Sequence, residues 1–214
     1  MTNLTVAVKD YFKEYTVEDI YDEETKLLFI LESPHTQEIK YGYPVAGNSG
    51  LEMTKFIYEP KHQKPLGKLV ANKEEYKANY NNLEKFGLLN VSPAPMQEQA
   101  LKKKDLTKSE FDVLEILEKL RVNYKAKRHQ KQEWNLVKEI VLNNFKQRLV
   151  TALKDHPQIN YLVPCGRFAT SYLDLIDDPV VDSKEVIADI PHPSFNQWQR
   201  YELMDKLEHV LNKI

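Results

Sequence analysis

Apolar and polar positions divide the chain into short apolar runs separated by longer amphipathic stretches. Four runs, at residues 26–31, 86–91, 160–164 and 186–190, are rich in apolar residues and end close to a polar residue or a proline. Such runs are typical of strands buried on both faces of a parallel sheet. Because they alternate with helical segments, the pattern predicts an α/β protein, a three-layer α/β/α sandwich around a central, mainly parallel, four-stranded sheet.

The amphipathic stretches carry apolar residues at helical spacing. The longest covers residues 134–153, where Val137, Val141 and Phe145 belong to one apolar side and Pro157 follows the end. A second long helix is predicted to begin near a cap at Thr107 or Ser109. The remaining predicted helices cover residues 3–21, as one helix or a helix pair, 51–58 with Asn48 or Ser49 as the cap, 166–176 and 198–211, with one more helix and a loop in the polar interval 59–82.

Length and composition indicate one globular domain. The chain has 214 residues, 42% of them apolar and 29% charged, which is sufficient for a single buried core. We therefore interpret residues 1–214 as one domain, in which the charged interval 97–133 is a helical insertion. The start of the chain lacks a signal-peptide pattern, and no apolar run is long enough to cross a membrane, which predicts a cytoplasmic protein.

The cysteine content limits the metal and redox chemistry that the chain can perform. Cys165 is the only cysteine, which excludes an intramolecular disulfide and any zinc or iron–sulfur site built on several thiolates. We expect no metal and no other cofactor. We also expect the protein to be a monomer.

Charge is unevenly distributed along a chain whose net charge is only −2. Acidic residues concentrate in residues 10–24, whereas residues 119–131 are strongly basic. The basic stretch has two interpretations, a solvated helical face or a patch that contacts phosphate groups. In the second interpretation, the candidate DNA contacts are Lys125, Lys127 and Arg128.

Polar side chains stand at the ends of three of the apolar runs. Glu32 follows the first run, Asn90 lies at the end of the second, and His192 follows the fourth. The carboxyl ends of parallel strands meet at one edge of a sheet, where such sheets bind ligands. We therefore expect a carboxylate, an amide and an imidazole to lie close together. Side chains of these types can recognise a polar ligand and perform acid–base chemistry.

These residues belong to motifs that resemble a known family. The segment 32–50 begins Glu-Ser-Pro-His and ends Gly-Tyr-Pro-Val-Ala-Gly-Asn-Ser-Gly. It resembles the first motif of the uracil-DNA glycosylase superfamily, whose thermostable iron–sulfur branch has Gly-Glu-x-Pro-Gly and then Gly-x-Pro-Phe-Val-Gly-x-x-Gly. Asn90 falls at the strand-end asparagine of the second motif, residues 165–169 resemble Leu-Gly-x-x-Ala, and residues 192–194 resemble the final His-Pro-Ser. The resemblance spans about residues 26–200.

The resemblance implies a uracil-DNA glycosylase-like fold and a base-excision activity. Such an enzyme hydrolyses the N-glycosidic bond of uracil or another deaminated base in DNA, after the base has been flipped out of the helix. By resemblance, His192 donates a hydrogen bond to the departing base, Asn90 recognises the base, and Glu32 or Glu38 is the catalytic carboxylate. The other residues that the resemblance places against the base are Ser33, Pro34, His35, Tyr43 and Val45, and those that it places against DNA are Gly47, Asn48, Ser194 and Phe195.

The chain also departs from the family pattern at several positions. Leu31 and His35 replace two glycines of the first motif, and Val45 stands where the family has an aromatic residue that stacks on the base. The cysteines of the iron–sulfur branch are absent. Two alternatives therefore stay open beside base excision. One is a catalytically silent member that binds DNA or a nucleotide, and the other is hydrolysis of a free nucleoside or nucleotide.

Overall fold

The computed structural model of the chain describes residues 2–102, 105–194, 197–199 and 204–214. Four strands and ten α-helices occur in these residues. The strands are β1 (Leu27–Leu31), β2 (Phe86–Asn90), β3 (Tyr161–Pro164) and β4 (Glu185–Val186). The helices are α1 (Thr2–Tyr15), α2 (Thr36–Tyr41), α3 (Asn48–Tyr58), α4 (Leu66–Ala71), α5 (Lys73–Tyr76), α6 (Lys108–Val122), α7 (Gln132–Asp155), α8 (Arg167–Leu173), α9 (Pro179–Asp182) and α10 (Asp205–Leu211).

The strands form a single sheet in the order β2-β1-β3-β4, and all three pairs are parallel. The pairing of β1 with its neighbours sets the positions of the strand ends. Leu31 lies opposite Asn90 of β2, and Ile30 lies opposite Pro164 of β3. All five residues of β1 are buried, as expected for a central parallel strand that is covered on both faces. The predicted α/β class and parallel sheet are therefore confirmed.

Alternate residues of β1 supply two separate hydrophobic clusters. Leu28 and Ile30 pack into a cluster that includes residues of α1, α6, α7 and α8. Leu27, Phe29 and Leu31 pack into a second cluster with residues of α3, α4 and α10. Because successive side chains of a strand point to opposite faces, the two clusters lie on opposite sides of the sheet. The protein therefore has helical layers on both faces of a central sheet.

Helix α6 lies within the interval 97–133, and its start agrees with the sequence prediction. Thr107 caps the helix, because its Oγ1 accepts from the Glu110 amide at 3.3 Å while a Glu110 carboxylate oxygen accepts from the Thr107 amide at 2.6 Å. The helix contributes Val113, Leu114 and Leu117 to the core. The interval is thus part of the core packing, and its description as an insertion stays a prediction.

Several predicted boundaries differ from those of the structure. The helix or helix pair predicted over 3–21 is one helix, α1, which ends at Tyr15, because the following residues hydrogen-bond to the chain around β2, as in the pairing of Ile20 with Leu88. Helix α3 begins at Asn48 with Gly47 as its N-cap, so neither Asn48 nor Ser49 is the cap. The buried strand predicted over 186–190 is β4, which covers only Glu185–Val186 and is exposed. Helix α8 covers Arg167–Leu173 within the predicted 166–176. Helix α10 (Asp205–Leu211) covers the last part of the helix predicted over 198–211, of which 200–203 lie outside the described residues.

No helix among residues 2–102, 105–194, 197–199 and 204–214 has the length and apolar character needed to cross a membrane.

Two glycines hold the loop between α2 and α3 in place. A Cβ built on Gly50 of α3 would lie 1.8 Å from the carbonyl oxygen of Val45, and one on Gly67 of α4 would lie 1.8 Å from that of Pro44. Both helices therefore contact the loop through bare backbone. Val45 adopts a φ of 45°, a left-handed conformation that is uncommon for a β-branched residue. The close contacts from both sides maintain it, and this loop lines the cavity described below.

We expect Gly67→Ala to destabilise the protein, although alanine favours a helix by about 1 kcal/mol over glycine. The added methyl group would overlap the Pro44 carbonyl, so the free energy of unfolding should fall by about 2 kcal/mol or more. Urea unfolding followed by circular dichroism measures the change. Gly47→Ala is the matched control, because its Cβ would meet only the flexible Gln37 side chain at 3.3 Å. Equal stability of the two variants would contradict the close-contact explanation.

Candidate functional site

A cavity of about 580 Å³ opens at the carboxyl edge of the sheet. Its lining includes Glu32 after β1, Asn90 at the end of β2, and His192 after β4. The three polar residues that the sequence placed at strand ends therefore share one cavity. The parallel register brings the ends of β1 and β2 together. His192 is reached through residues 187–191, which are held to the end of β3 where the Gly166 amide donates to the Ile190 carbonyl oxygen at 2.8 Å.

Asn90 has a fixed backbone and a buried side-chain amide that faces the cavity. It is 2% exposed, and its Nδ2 is buried with no hydrogen-bond partner among the described residues. A buried amide donor in a polar cavity is costly unless it is satisfied, so such a group is a natural contact for a ligand. A carbonyl oxygen of a bound molecule would accept from Nδ2, while the Asn90 Oδ1 can accept from an N–H group.

The backbone of Asn90 is held by an ion pair from outside the cavity. Arg148 of α7 donates from Nη1 to both carboxylate oxygens of Asp19, over 2.9 and 2.6 Å. The same guanidinium donates from Nη2 to the carbonyl oxygens of Asn90 at 2.7 Å and Val91 at 2.8 Å. Asp19 in turn accepts from the Asn90 amide at 3.3 Å. The sequence analysis missed this pair. No local pattern indicated it, because Arg148 is one of several charged residues of α7.

Glu32 is paired with a cation that the sequence analysis did not place in the site. Its Oε1 accepts from Gln97 Nε2 at 3.3 Å and lies 3.6 Å from Nη1 of Arg121, near the end of α6. Burial raises the pKa of Glu32, while Arg121 and Gln97 act in the opposite direction and favour the carboxylate. The Nε of Arg121 is buried without a hydrogen-bond partner among the described residues. Arg121 therefore forms an ion pair with Glu32, and its Nε–H group is available as a donor to a ligand.

His192 lies between two prolines after β4 and packs on the bare backbone of Gly166. A Cβ on Gly166, which has a φ of 92°, would lie 2.9 Å from the Cβ of His192. The His192 Nδ1 is 3.0 Å from Ser194 Oγ. If the Ser194 hydroxyl donates to Nδ1, the proton of the neutral ring is on Nε2, which is then a donor.

The charge state of His192 is set by its surroundings. Burial is the main cause, and the nearby Arg121 cation the second, of a pKa lowered from 6.5 to about 4. The imidazole is therefore neutral at pH 7. Because its folded-state pKa is below the ordinary value, its contribution to stability is complete above pH 6.5 and is lost as the pH falls through about 4.

Glu38 also lines the cavity, but its carboxylate has a structural contact. Its Oε2 accepts from the backbone amide of His35 at 2.9 Å, which closes the first turn of α2. Burial raises the pKa of Glu38, and the hydrogen bond from His35 opposes that shift. Of the two candidate carboxylates, Glu32 is therefore the one that belongs to the polar group around His192.

The remaining predicted site residues fall into separate groups. Those that line the cavity are Ser33, His35, Val45, Asn48 and Ser194. Pro34 is buried and is not among the lining residues, and Phe195 lies outside the described residues. Tyr43 and Gly47 line a neighbouring groove that also contains His35 and Asn48. Lys125 lines a second groove, on the His192 side, whereas Lys127 and Arg128 are exposed in the turn after α6.

The described residues offer neither a metal-ligand cluster nor an accessible thiol. No cluster of three or more His, Cys, Asp or Glu side chains suited to a metal ion occurs in the described part of the chain. Cys165 is buried, and burial raises the pKa of its thiol. The thiolate form, which is the nucleophile, is therefore strongly disfavoured there.

Comparisons with known proteins assign the chain to no family. No protein-family model matches it, and no curated protein matches it significantly. The functional interpretation therefore depends on the cavity itself.

We expect Arg121→Gln to raise the pKa of His192 above its wild-type value of about 4, because one of the two causes of the shift is removed. The remaining burial should keep it below 6.5. Titration of the histidine ring protons by NMR measures the pKa, with His192→Gln assigning the signal. Lys125→Gln is the control, since Lys125 lines the same groove as Arg121 without being a cause of the shift. An unchanged His192 pKa in Arg121→Gln would show that burial alone accounts for the shift.

Proposed function

We propose that this protein is a DNA base-excision glycosylase that hydrolyses the N-glycosidic bond of uracil or another deaminated base. The observation that carries the proposal is the unsatisfied amide of Asn90 in one cavity with the neutral imidazole of His192. Deaminated bases carry a carbonyl oxygen and an N–H group side by side. An asparagine amide matches that pair, because it offers one donor and one acceptor.

The proposed reaction breaks the bond between the sugar C1′ and the base nitrogen. The electron pair of that bond goes to the base, so negative charge develops on its carbonyl oxygen and positive charge on the sugar. His192, as a neutral donor, would hydrogen-bond to the developing anion, in the manner of an oxyanion hole. Water then adds to C1′, its hydroxyl remains on the sugar, and its proton is returned to the base. The products are the free base and an abasic site.

Glu32 is the carboxylate that we assign to the positive charge on the sugar. A carboxylate beside an oxocarbenium-like centre stabilises it electrostatically and can orient the attacking water. Arg121 favours the ionised form of Glu32. Glu38 is assigned a structural role instead, because its oxygen accepts from the His35 amide.

A cationic groove beside the cavity supports contact with the DNA backbone. It has a volume of about 740 Å³, includes Glu32 and His192 in its lining, and adds the cations Arg121, Lys125 and Arg167. Basic side chains of this kind bind phosphates and make affinity depend on salt concentration. The groove would therefore hold the strand that carries the target nucleotide.

A specific observation also favours the second candidate function, binding without catalysis. Each candidate carboxylate has a protein partner, since Glu32 lies beside Arg121 and Glu38 accepts from His35. Val45 provides no aromatic face for a base. A silent member of this kind would bind DNA and release no base.

We expect wild-type protein to release a deaminated base from labelled oligonucleotides, and His192→Ala and Asn90→Ala each to lower the excision rate by about 100-fold or more. Uracil, hypoxanthine and xanthine are tested in single-stranded and duplex DNA, and abasic sites are detected by alkaline cleavage. His209→Ala and Asn212→Ala are matched controls, because both residues are exposed on or just after α10. DNA binding without any base release would support the silent-binder function instead.

A stability measurement separates a chemical role of Asn90 from a structural one. Because its Nδ2 has no hydrogen-bond partner in the described part of the chain, Asn90→Ala removes an unsatisfied donor and should leave the melting temperature close to that of wild type. A large fall in melting temperature together with the loss of excision would mean that the side chain is needed for folding.

We expect Lys125→Gln to reduce the slope of log affinity against log salt concentration by about one, because one phosphate contact is lost. Fluorescence anisotropy with a labelled oligonucleotide measures the slope. Lys154→Gln is the control, because Lys154 lies near the end of α7, just before the amino end of β3. The groove lies at the carboxyl ends of the strands. The same slope in Lys125→Gln and wild type would exclude Lys125 from the phosphate contacts.

A further inference from the structure

The groove lined by Tyr43 and Gly47 also continues from the cavity, away from Arg121 and the groove that Lys125 lines. It has a volume of about 850 Å³ and shares His35, Glu38, Asn48 and Ser49 with the cavity. The cavity and this groove therefore meet along the first turns of α2 and α3. A bound polymer with one of its units in the cavity can therefore continue directly into the groove.

Two tyrosines form an aromatic surface in this groove. The rings of Tyr41 and Tyr43 are stacked, with centroids 6.1 Å apart and an angle of 21° between their planes. Gly42 lies between them with a φ of 78° and ends α2, so the left-handed turn brings the two side chains to the same side. Tyr41 is 50% exposed, so its ring is accessible to a ligand in the groove.

The polar groups around the tyrosines fit a nucleic-acid strand. Lys68 lines the groove, and the Lys40 ammonium lies 5.0 Å from the centre of the Tyr41 ring. Amide side chains lining the same groove are Gln37, Asn48, Gln63 and Asn72. Among its described lining residues, Glu38 is the only carboxylate, and its oxygen accepts from the His35 amide. Aromatic faces next to cations are the usual surface for bases and phosphates of single strands.

We propose that Tyr41 and Tyr43 stack against a base of single-stranded DNA that neighbours the nucleotide in the cavity. The inference rests on the proposed function and adds to it the form of the substrate. In a duplex both faces of each base are covered by its neighbours, so a tyrosine can stack only on a base that is unstacked. The stacked rings of Tyr41 and Tyr43, which we call the tyrosine platform, therefore make single-stranded DNA the preferred substrate. Lys40 and Lys68 then lie beside the phosphates.

The test compares binding of a fluorescein-labelled single strand of about ten nucleotides, without any deaminated base, with binding of its duplex. Tyr41→Ala/Tyr43→Ala should weaken single-strand binding about five-fold or more, and Tyr41→Leu/Tyr43→Leu should do the same, because leucine lacks an aromatic face. Tyr41→Phe/Tyr43→Phe, the matched control, should bind within about two-fold of wild type. Duplex binding should change little in all three, and equal melting temperatures establish that the variants fold.

The outcomes distinguish this inference from the glycosylase proposal. Unchanged single-strand binding in the alanine and leucine variants, or no single-strand binding by wild type, would overturn the platform. Excision that is unaffected by the tyrosine variants on single strands would also overturn it and would leave the glycosylase function intact. Tyrosine-dependent single-strand binding without base release would support the platform and overturn the glycosylase function.

Discussion

The register of β1 between β2 and β3 is the constraint on which the site depends. Leu31 pairs with Asn90, so Glu32 leaves the sheet beside the residue that ends the neighbouring strand. A shift of one residue would exchange the two faces of β1 and place its side chains in the wrong hydrophobic clusters. The burial of all five β1 residues therefore fixes the position of the cavity as well as the core. On this view the polar chemistry at the edge is a consequence of apolar packing in the strands.

A second constraint separates the positioning of Asn90 from its chemistry. Arg148 and Asp19 are 129 residues apart in the sequence. Together they hydrogen-bond to the backbone of Asn90 from the side away from the cavity. The side-chain Nδ2 then has no hydrogen-bond partner among the residues that the structure describes, although Asn90 is buried. A structural asparagine would normally use that amide to hold a turn. Here the ion pair does so instead, which leaves the amide for a ligand.

The sequence is informative wherever a pattern is local. Apolar runs predict the first three strands, whereas the fourth run coincides with β4 only at Val186. The polar residues that follow the runs predict that Glu32, Asn90 and His192 share one edge. The pairs Asp19–Arg148 and Glu32–Arg121 could not be predicted, because each joins side chains far apart in the sequence with no local signal. The position of Tyr43 outside the cavity follows from the left-handed turn at Gly42. The residue types of a motif do not show in which direction the Tyr43 side chain points.

Arg121 gives the basic stretch 119–131 a role that is neither a solvated helical face nor a phosphate contact, because it lies beside Glu32. The stretch includes an exposed part, Lys127 and Arg128, and a groove-lining part, Lys125, but its first arginine acts on the site itself. The same cation favours the ionised form of Glu32 and the neutral form of His192. Bond cleavage that separates a sugar cation from a base anion needs a negative group near the sugar and an uncharged donor near the base. One guanidinium biases both groups toward those states, so in the proposed reaction Arg121 would act through Glu32 and His192.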